Sequence, residues 1–214
     1  MKLGIVLPAY KNPDELRNGI KEIQHYYPEA TIIAVCDDLS TMNTANAMGI
    51  FTPYHPKKIG FAKSLCEGLC LAWYTFNCDI IVTADPDHPF SELHNFLDKL
   101  VDYDVVVGFE SGKWKTSRVL SNKLVNRFII NKVRNPTCGF VVFKRSVLAI
   151  IPWDKLVSHY DMIHPELLYY ADKITWKITE CKFTEVQKER FYSKQRYIYW
   201  AISFIRVAFI NKVF

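Results

Sequence analysis

Two carboxylates one residue apart, Asp85 and Asp87, lie just after the apolar run at residues 80–82. Such a run predicts a buried strand, and open α/β sheets bind their ligands beyond the carboxyl ends of the strands. Mg²⁺ is commonly held by one or two carboxylates together with the phosphates of a substrate. The Asp-x-Asp pair therefore predicts a clip for a metal-bound diphosphate, although acidic pairs after strands are also found as solvated turns.

Two further predicted strand ends carry groups that suit a nucleotide. The loop after the first strand, residues 8–13, contains Tyr10, whose ring could stack beside a flat base. The second strand ends on Asp37 and Asp38, which can accept hydrogen bonds from a ribose or from base N–H groups. The loop is too poor in glycine to wrap a phosphate in backbone amides, which argues against P-loop proteins and against sugar-1-phosphate nucleotidyltransferases.

The elements that must position these groups alternate between strand and helix. Apolar runs predict strands at residues 2–8, 31–36, 50–53, 79–84, 104–109 and 139–143, and helical spacing predicts helices at 14–27, 44–48, 61–76, 91–101 and 117–133, with a helix and then a strand within 152–180. This alternation is typical of an α/β fold with a mostly parallel sheet and helices on both faces. No repeat or Gly/Ser linker interrupts residues 1–196, which indicates one domain.

Charge divides the chain into two unlike halves. Residues 1–110 carry 8 Lys/Arg and 15 Asp/Glu, whereas residues 111–214 carry 19 and 7. Residues 111–153 include nine basic residues and no acidic one, which indicates either a solvated basic face or a surface that meets phosphates. Few aromatic residues are interleaved with these bases, and the acidic half would repel a nucleic-acid backbone. We therefore expect no nucleic-acid partner.

Cysteine usage and the two ends of the chain bear on location. The six cysteines form no Cys-x-x-Cys and lie mostly in apolar runs, which predicts buried thiols in a reducing compartment. Met1 leads at once into a strand, so we expect no signal peptide and a cytoplasmic protein. Residues 197–214 are rich in Ile, Phe and Tyr but too short and too charged to span a bilayer. They predict a helix that lies in a membrane interface or, alternatively, docks on the domain or on a second subunit.

Several motifs in order along the chain resemble family 2 glycosyltransferases of the GT-A fold. They are Pro8-Ala9-Tyr10, Cys36-Asp37-Asp38-Leu39-Ser40, Ile59-Gly60-Phe61-Ala62-Lys63-Ser64-Leu65, Glu67-Gly68-Leu69 and Asp85-Pro86-Asp87-His88-Pro89. Motifs of the second half are similar to the polyprenyl-phosphate sugar synthases. They are Val105-Val106-Val107-Gly108, Arg118 with Ser121 and Asn126, Arg134-Asn135-Pro136-Thr137-Cys138-Gly139-Phe140, Glu180 and Arg190-Phe191-Tyr192-Ser193-Lys194. The resemblance covers nearly the whole chain up to residue 196.

The resemblance implies a role for each matched residue. The nucleotide would be held by Pro8, Tyr10, Asp37, Asp38 and Asp85, the cation, Mg²⁺ or Mn²⁺, by Asp85 and Asp87, and the acceptor phosphate by Arg118, Arg190 and Lys194. The family usually has two more residues between the second Asp and the His-Pro pair, one of which supplies a further metal ligand. Here His88 follows Asp87 directly, which makes His88 the candidate for that ligand.

These roles together imply an inverting glycosyltransferase. It would move a sugar from a GDP- or UDP-sugar to a polyprenyl or dolichyl phosphate at a membrane surface. A phosphate acceptor is largely ionised near neutral pH and needs placement by cations rather than a general base. The cation on the donor would neutralise the charge that develops on the leaving nucleoside diphosphate.

Two alternatives remain open from the sequence. A glycosyltransferase that acts on a sugar or protein hydroxyl would need a base, for which Asp161 is the candidate, with Asp154 also available. Both could instead cap helices. A non-catalytic subunit that binds a nucleotide sugar or docks on a membrane would also fit the shortened loop after Asp87.

Overall fold

One mixed sheet of six strands forms the centre of the molecule. The computed structural model describes residues 1–53, 55, 57–111, 116–159, 162–184 and 194–210, with the backbone alone at 111, 116, 117, 194–197 and 210. The strands are Leu3–Ala9 (β1), Thr31–Cys36 (β2), Ile80–Thr83 (β3), Val105–Ser111 (β4), Val141–Lys144 (β5) and Ile178–Thr184 (β6). Their order across the sheet is β2-β1-β3-β5-β4-β6. β1 pairs in parallel with β2 and β3, and β4 pairs in parallel with β6.

Helices connect and cover the strands. They are Pro13–Tyr26 (α1), Leu39–Ala47 (α2), Phe61–Cys70 (α3), Leu93–Lys99 (α4), Thr116–Phe128 (α5), Arg145–Leu148 (α6), Ile163–Lys173 (α7) and Lys194–Ile205 (α8). Short π-helical segments continue α3 over Leu71–Thr75 and α8 over Arg206–Ile210. Successive residues of a strand point to opposite faces, and Ile5, Val6 and Leu7 of β1 are all fully buried. Both faces of the sheet are therefore covered there, which confirms the predicted α/β fold with its mostly parallel sheet and C-terminal helix.

Strand β5 is the exception to the parallel order. It lies between β3 and β4 and runs antiparallel to both. Val141 at its start pairs with Thr83 at the end of β3, and the Thr83 hydroxyl donates a hydrogen bond to the Gly139 carbonyl at 2.8 Å. An antiparallel strand begins where its neighbour ends. The loop before β5 is therefore brought to the carboxyl end of β3, beside the Asp-x-Asp motif.

The helix predicted at 44–48 begins five residues earlier, at Leu39, and three other predicted elements also differ from the structure. Residues 50–53 contribute a single bridge, between Phe51 and Ile33, instead of a strand. The predicted helix at 117–133 ends at Phe128, because the amides of both Ile129 and Ile130 bond to the carbonyl of Val125 and so close the last turn.

The third difference is the late start of the helix predicted within 152–180. It begins at Ile163, after a loop. The buried carboxylate of Glu166 accepts hydrogen bonds from the amides of Val157 and Ser158, which holds that loop against α7. No helix in the described part of the chain is long and apolar enough to cross a membrane.

A cluster of aromatic rings joins the sheet to the segment that follows the Asp-x-Asp motif. The fully buried ring of Phe140 lies 4.4 Å from that of Phe96, 5.5 Å from Phe183 and 5.0 Å from His88, measured between ring centroids. Aromatic pairs at such distances add to the free energy gained from burial alone. Phe140, which directly precedes β5, thus packs against both β6 and the segment that follows the Asp-x-Asp motif.

We expect Phe140→Ala to lower the free energy of unfolding by about 3–5 kcal/mol, because it leaves a cavity among rings that cannot collapse into it. Urea unfolding followed by circular dichroism measures the change. Tyr74→Ala is the matched control, since Tyr74 is 77% exposed and should change stability by less than about 0.5 kcal/mol. Equal losses in the two variants would contradict the central role of Phe140.

Candidate functional site

The candidate site lies along one edge of the sheet, where parallel strands end together. Ala9 at the end of β1 pairs with Cys36 at the end of β2, and Val6 pairs with Thr83 of β3. The loops that follow these three strands therefore leave from the same edge. These are the loops that carry the groups expected to bind base, ribose and metal.

The Asp-x-Asp motif forms a tight turn directly after β3. The amide of His88 donates a hydrogen bond to the carbonyl of Asp85 at 3.0 Å, and Pro86 occupies the turn position that its fixed φ favours. The potential ligand atoms of Asp85, Asp87 and His88 all lie within 4.8 Å of one another. The structure thus brings together the three residues that the sequence nominated for a divalent cation, and the two carboxylates supply the oxygen ligands that Mg²⁺ and Mn²⁺ prefer.

The side chain of His88 has a second task in this turn. It is 4% exposed, its ring stacks on Phe140, and its Nδ1 accepts a hydrogen bond from the Asp85 amide at 2.9 Å. A nitrogen that accepts a hydrogen bond cannot offer the same lone pair to a metal, and the proton of the neutral ring then lies on Nε2. This geometry favours Asp85 and Asp87 as the primary ligands, with His88 fixing the shape of the turn.

Helix α1 supports the same turn from behind. Gly19 is buried on α1, and a Cβ atom at this position would overlap the carbonyl oxygen of Pro86. Only glycine lets the helix backbone approach the turn so closely. The packing of α1 therefore determines where the two carboxylates stand, a dependence that the sequence motif does not reveal.

Asp37, predicted to contact the nucleotide, is held by the chain itself. It is 8% exposed, and its Oδ2 accepts a hydrogen bond from the Gly60 amide at 2.8 Å. Its Oδ1 lies 3.3 Å from Nδ1 of His55, whose Nε2 lies 2.7 Å from the carboxylate of Glu67 on α3. His55 thus lies between the end of β2 and α3, with its Nε2 hydrogen-bonded to Glu67 and its Nδ1 close to Asp37 without a hydrogen bond. Nothing in the sequence near His55 indicates these contacts, because Asp37 and Glu67 lie 18 and 12 residues away.

Asp38 and Tyr10 lie beside this group. Asp38 caps α2 by accepting hydrogen bonds from the Thr41 amide and hydroxyl, and it also accepts from the Lys11 amide at 2.6 Å. Burial raises the pKa of Asp38, but the hydrogen bonds from Lys11 and Thr41 together lower it by more than burial raises it. The net shift of the pKa is downward, and the carboxylate is ionised at neutral pH.

Tyr10 is 40% exposed, with the ammonium of Lys58 3.5 Å from its ring centroid. A base that stacks on that face would replace Lys58. Pro8 is buried within β1.

The loop before β5 brings the second half of the chain to the metal-motif turn. A Cβ on Gly139 would lie 3.4 Å from Oδ1 of Asp85. Next to it, burial raises the pKa of the Cys138 thiol to about 12, with the charges of Glu110 and Asp85 adding to the rise and Arg118 opposing it. Cys138 therefore stays a neutral thiol at any physiological pH and is not a nucleophile.

Arg118, predicted to grip a phosphate, forms an ion pair with Glu110 at the end of β4. Glu110 was not recognised in the sequence, since no motif marks it. Further along α5, Asn122 donates to Asn135 at 3.1 Å and accepts from Thr137 at 3.1 Å, which joins α5 to the loop before β5. These contacts place one face of α5 against the candidate site.

The remaining residues that the sequence predicted for the site are described only in part. Arg134 bonds to Glu180 through its amide and its guanidinium, and stacks on Phe109 with 4.6 Å to the ring centroid. Asp161 and Arg190 lie outside the described residues, and Lys194 is described by its backbone at the start of α8. Their roles remain predictions.

Known structures with a similar fold bear on this geometry. The sequence matches no protein-family model and no curated protein. Glucosyl-3-phosphoglycerate synthase from Mycobacterium tuberculosis, solved with uridine diphosphate, aligns with a TM-score of 0.77 and 18% identity over 98% of this chain and 79% of that one. The same synthase with Mn²⁺, UDP-glucose and phosphoglyceric acid aligns with a TM-score of 0.77 and 17% identity over the same shares. This chain has the GT-A fold.

At such identity the likeness establishes the architecture. The GT-A fold expected from the motifs after β1, β2 and β3 is confirmed, and the Asp-x-Asp turn lies at the sheet edge where that expectation placed it. The resemblance to polyprenyl-phosphate sugar synthases continues to rest on the sequence motifs of the second half.

We expect Gly19→Ala to weaken Mn²⁺ binding by about 10- to 100-fold, because the added methyl group must push the Pro86 carbonyl and with it the two carboxylates. Isothermal titration with Mn²⁺ in the presence of a nucleoside diphosphate measures the effect. Asn18→Ala, at the exposed neighbouring position of α1, is the control and should bind as wild type does. Unchanged affinity in Gly19→Ala would show that α1 does not position the turn.

We expect His55→Ala to weaken nucleoside diphosphate binding by roughly tenfold, because Asp37, which accepts a hydrogen bond from the Gly60 amide, loses the buried ring that packs against it. Titration of UDP and GDP into the protein gives the affinity, and His25→Ala, which removes an exposed ring from α1, is the matched control. If His55→Ala lowered stability but left affinity at the wild-type value, His55 would serve the fold alone.

Proposed function

We propose that this chain is a metal-dependent glycosyltransferase that takes its sugar from a nucleoside-diphosphate sugar. The observation that carries the proposal is the convergence of Asp85 and Asp87 on one turn, at the strand-end edge of a GT-A fold. A solved protein of this fold holds Mn²⁺ together with UDP-glucose. Tyr10 and Asp37 lie on the adjoining loops, where a base and ribose would extend from a diphosphate at the turn.

The residues of the turn would hold the donor by its diphosphate. Asp85 and Asp87 supply the oxygens for Mg²⁺ or Mn²⁺, and the bound cation would offset the negative charge of the departing nucleoside diphosphate. His88 and Gly19 keep the carboxylates in place through the hydrogen bond to the Asp85 amide and the contact with Pro86. The chain thus contributes a fixed metal position rather than a flexible pair of acids.

We further propose that the acceptor is the phosphate of a polyprenyl lipid, as the second-half motifs imply. A phosphate oxygen of the lipid forms a bond to the anomeric carbon of the sugar, while the bond from that carbon to the diphosphate breaks and the leaving group takes the electron pair. Attack from the opposite side inverts the anomeric centre. Arg118, which forms an ion pair with Glu110, would hold the acceptor phosphate, and Arg190 and Lys194 would assist. The inert thiol of Cys138 agrees with a single displacement.

A second candidate is transfer to a hydroxyl of a small phosphorylated acceptor. Its support is the structural neighbour whose crystals contain phosphoglyceric acid beside UDP-glucose. The same Arg118 would then hold the phosphate of the acceptor, but the hydroxyl would need a base, for which Asp161 is the candidate. The two candidates share a donor site and differ in the acceptor.

We expect Asp87→Ala to lower metal-dependent glycosyl transfer by about 100-fold or more, since the cation loses one of its two carboxylate ligands. Purified protein is incubated with Mn²⁺ or Mg²⁺, a panel of GDP- and UDP-sugars, and either a short-chain polyprenyl phosphate or phosphoglyceric acid, and the products are identified by mass spectrometry. Asp98→Ala, at an exposed position of α4, is the control.

The outcomes separate the candidates. A glycosyl-lipid that disappears in Asp87→Ala supports the lipid acceptor, and a glycosylated phosphoglycerate supports the small acceptor. Nucleotide-sugar binding that is unaffected by metal, with no product from any donor, would instead favour a non-catalytic subunit.

A further inference from the structure

Helix α8 and its π-helical continuation expose a face that is rich in apolar side chains. Between residues 198 and 209 the exposed positions are Ile198, Tyr199, Ala201, Ile202, Ile205, Arg206 and Phe209. The side chains that face the domain are Ser203, Val207 and Ala208, which are almost completely buried, together with the partly buried rings of Trp200 and Phe204. Ser203 accepts a hydrogen bond from the His159 amide at 3.0 Å, so this inner face is fixed to the domain. Helix α8 therefore carries apolar side chains on its outer as well as its inner face, whereas a surface helix usually has a polar outer face.

Helix α5 also exposes apolar side chains. Its exposed positions among residues 118–128 are Leu120, Lys123, Leu124, Arg127 and Phe128, which recur at the spacing of a single helix face. The opposite face of α5 carries Asn122 and Arg118 toward the candidate site. The outward face therefore presents apolar side chains that alternate with two cations.

The two exposed faces form one continuous surface. The ring of Phe128 on α5 lies 6.0 Å from that of Phe204 and 6.4 Å from that of Phe209, between ring centroids. Of the seventeen large apolar side chains that are exposed in the described part of the chain, eight lie on these two helices. We refer to Leu120, Leu124, Phe128, Ile198, Tyr199, Ile202, Ile205 and Phe209 as the α5–α8 surface. Apolar patches of this kind mark binding surfaces.

Charge distinguishes the possible occupants. Lys123, Arg127 and Arg206 are exposed among the apolar side chains, and neither Thr116–Phe128 nor residues 194–210 contain an acidic residue. A symmetric dimer would press this surface against its own copy and bring like charges together. An anionic lipid surface complements both the cations and the aliphatic side chains, which is the composition of helices that lie in the membrane interface.

We propose that the α5–α8 surface docks the protein on an anionic membrane, with α5 and α8 lying together in the interface. The inference rests on the proposed function, because a polyprenyl phosphate acceptor lies in a membrane and the enzyme must reach it there. It extends the expectation from the sequence, which assigned membrane contact to residues 197–214 alone. Because α5 carries lipid-facing residues on one side and Arg118 on the other, the docked surface and the candidate site are separated by one helix.

Flotation with lipid vesicles tests the proposal on the full chain. We expect the protein to float with vesicles of phosphatidylglycerol and phosphatidylcholine, and much less with phosphatidylcholine alone. Binding should weaken as salt shortens the Debye length from about 30 Å to about 3 Å. Leu124→Ser on α5 and Ile202→Ser on α8 should each lower vesicle partition roughly tenfold, because each removes an aliphatic side chain from the lipid. Val101→Ser is the matched control, since Val101 is 83% exposed and lies outside the surface.

The outcomes are separable from those of the transfer assay, because vesicle binding needs neither donor nor metal. Wild-type binding in Leu124→Ser would overturn the role of α5. A wild-type dimer in sedimentation that becomes a monomer in both variants would show that the surface holds a second copy and would overturn the proposal. Failure of glycosyl transfer with retained flotation would overturn the proposed function and leave the docking in place. Metal-dependent UDP or GDP binding should be the same in all four proteins.

Discussion

Parallel pairing of β1 with both β2 and β3 is the constraint on which the rest of the site depends. Each of these strands ends at one edge of the sheet, and the groups that could bind a base, a ribose and a metal follow those ends directly. The side chains of Ile5, Val6 and Leu7 are fully buried on the two faces of β1, so the packing of the core on this strand also fixes where the following loop begins. The same strand packing therefore forms the core and places the site.

Two unlike kinds of support meet at the Asp-x-Asp turn. From one side, α1 approaches so closely that only Gly19 fits. From the other side, the antiparallel strand β5 delivers Gly139 and the stacked ring of Phe140. The packing of α1 and the stacking on Phe140 together hold this short turn, and with it the two carboxylates, in one position. Asp85 of this turn and Arg118, which Glu110 holds, both lie close enough to the Cys138 thiol to shift its pKa. Charges of both signs are therefore fixed at one edge before any ligand arrives.

Local patterns in the sequence predicted most of the strands and the groups at their ends, because a buried run followed by polar residues is a short-range signal. Strand β2 was predicted with its observed bounds, and the turn at Asp85 was nominated from its spacing alone. Contacts between residues far apart in the sequence could not be predicted from it. Nothing near His55 shows that it would meet Asp37 and Glu67, and nothing in β5 shows that it would run antiparallel. The exposed apolar faces of α5 and α8 could be identified only from the burial of each residue in the structure.

The insertion of β5 between β3 and β4 has a consequence for biosynthesis. The pairing partner of Thr83 is Val141, 58 residues later in the chain. At a translation rate of about 5–20 residues per second, β3 leaves the ribosome about 3–12 s before the strand that will cover its open side. During that interval an edge of Ile80, Ile81 and Val82 offers unpaired amides and carbonyls to any neighbouring chain. The arrangement that completes the site thus also lengthens the time for which β3 has an unpaired edge.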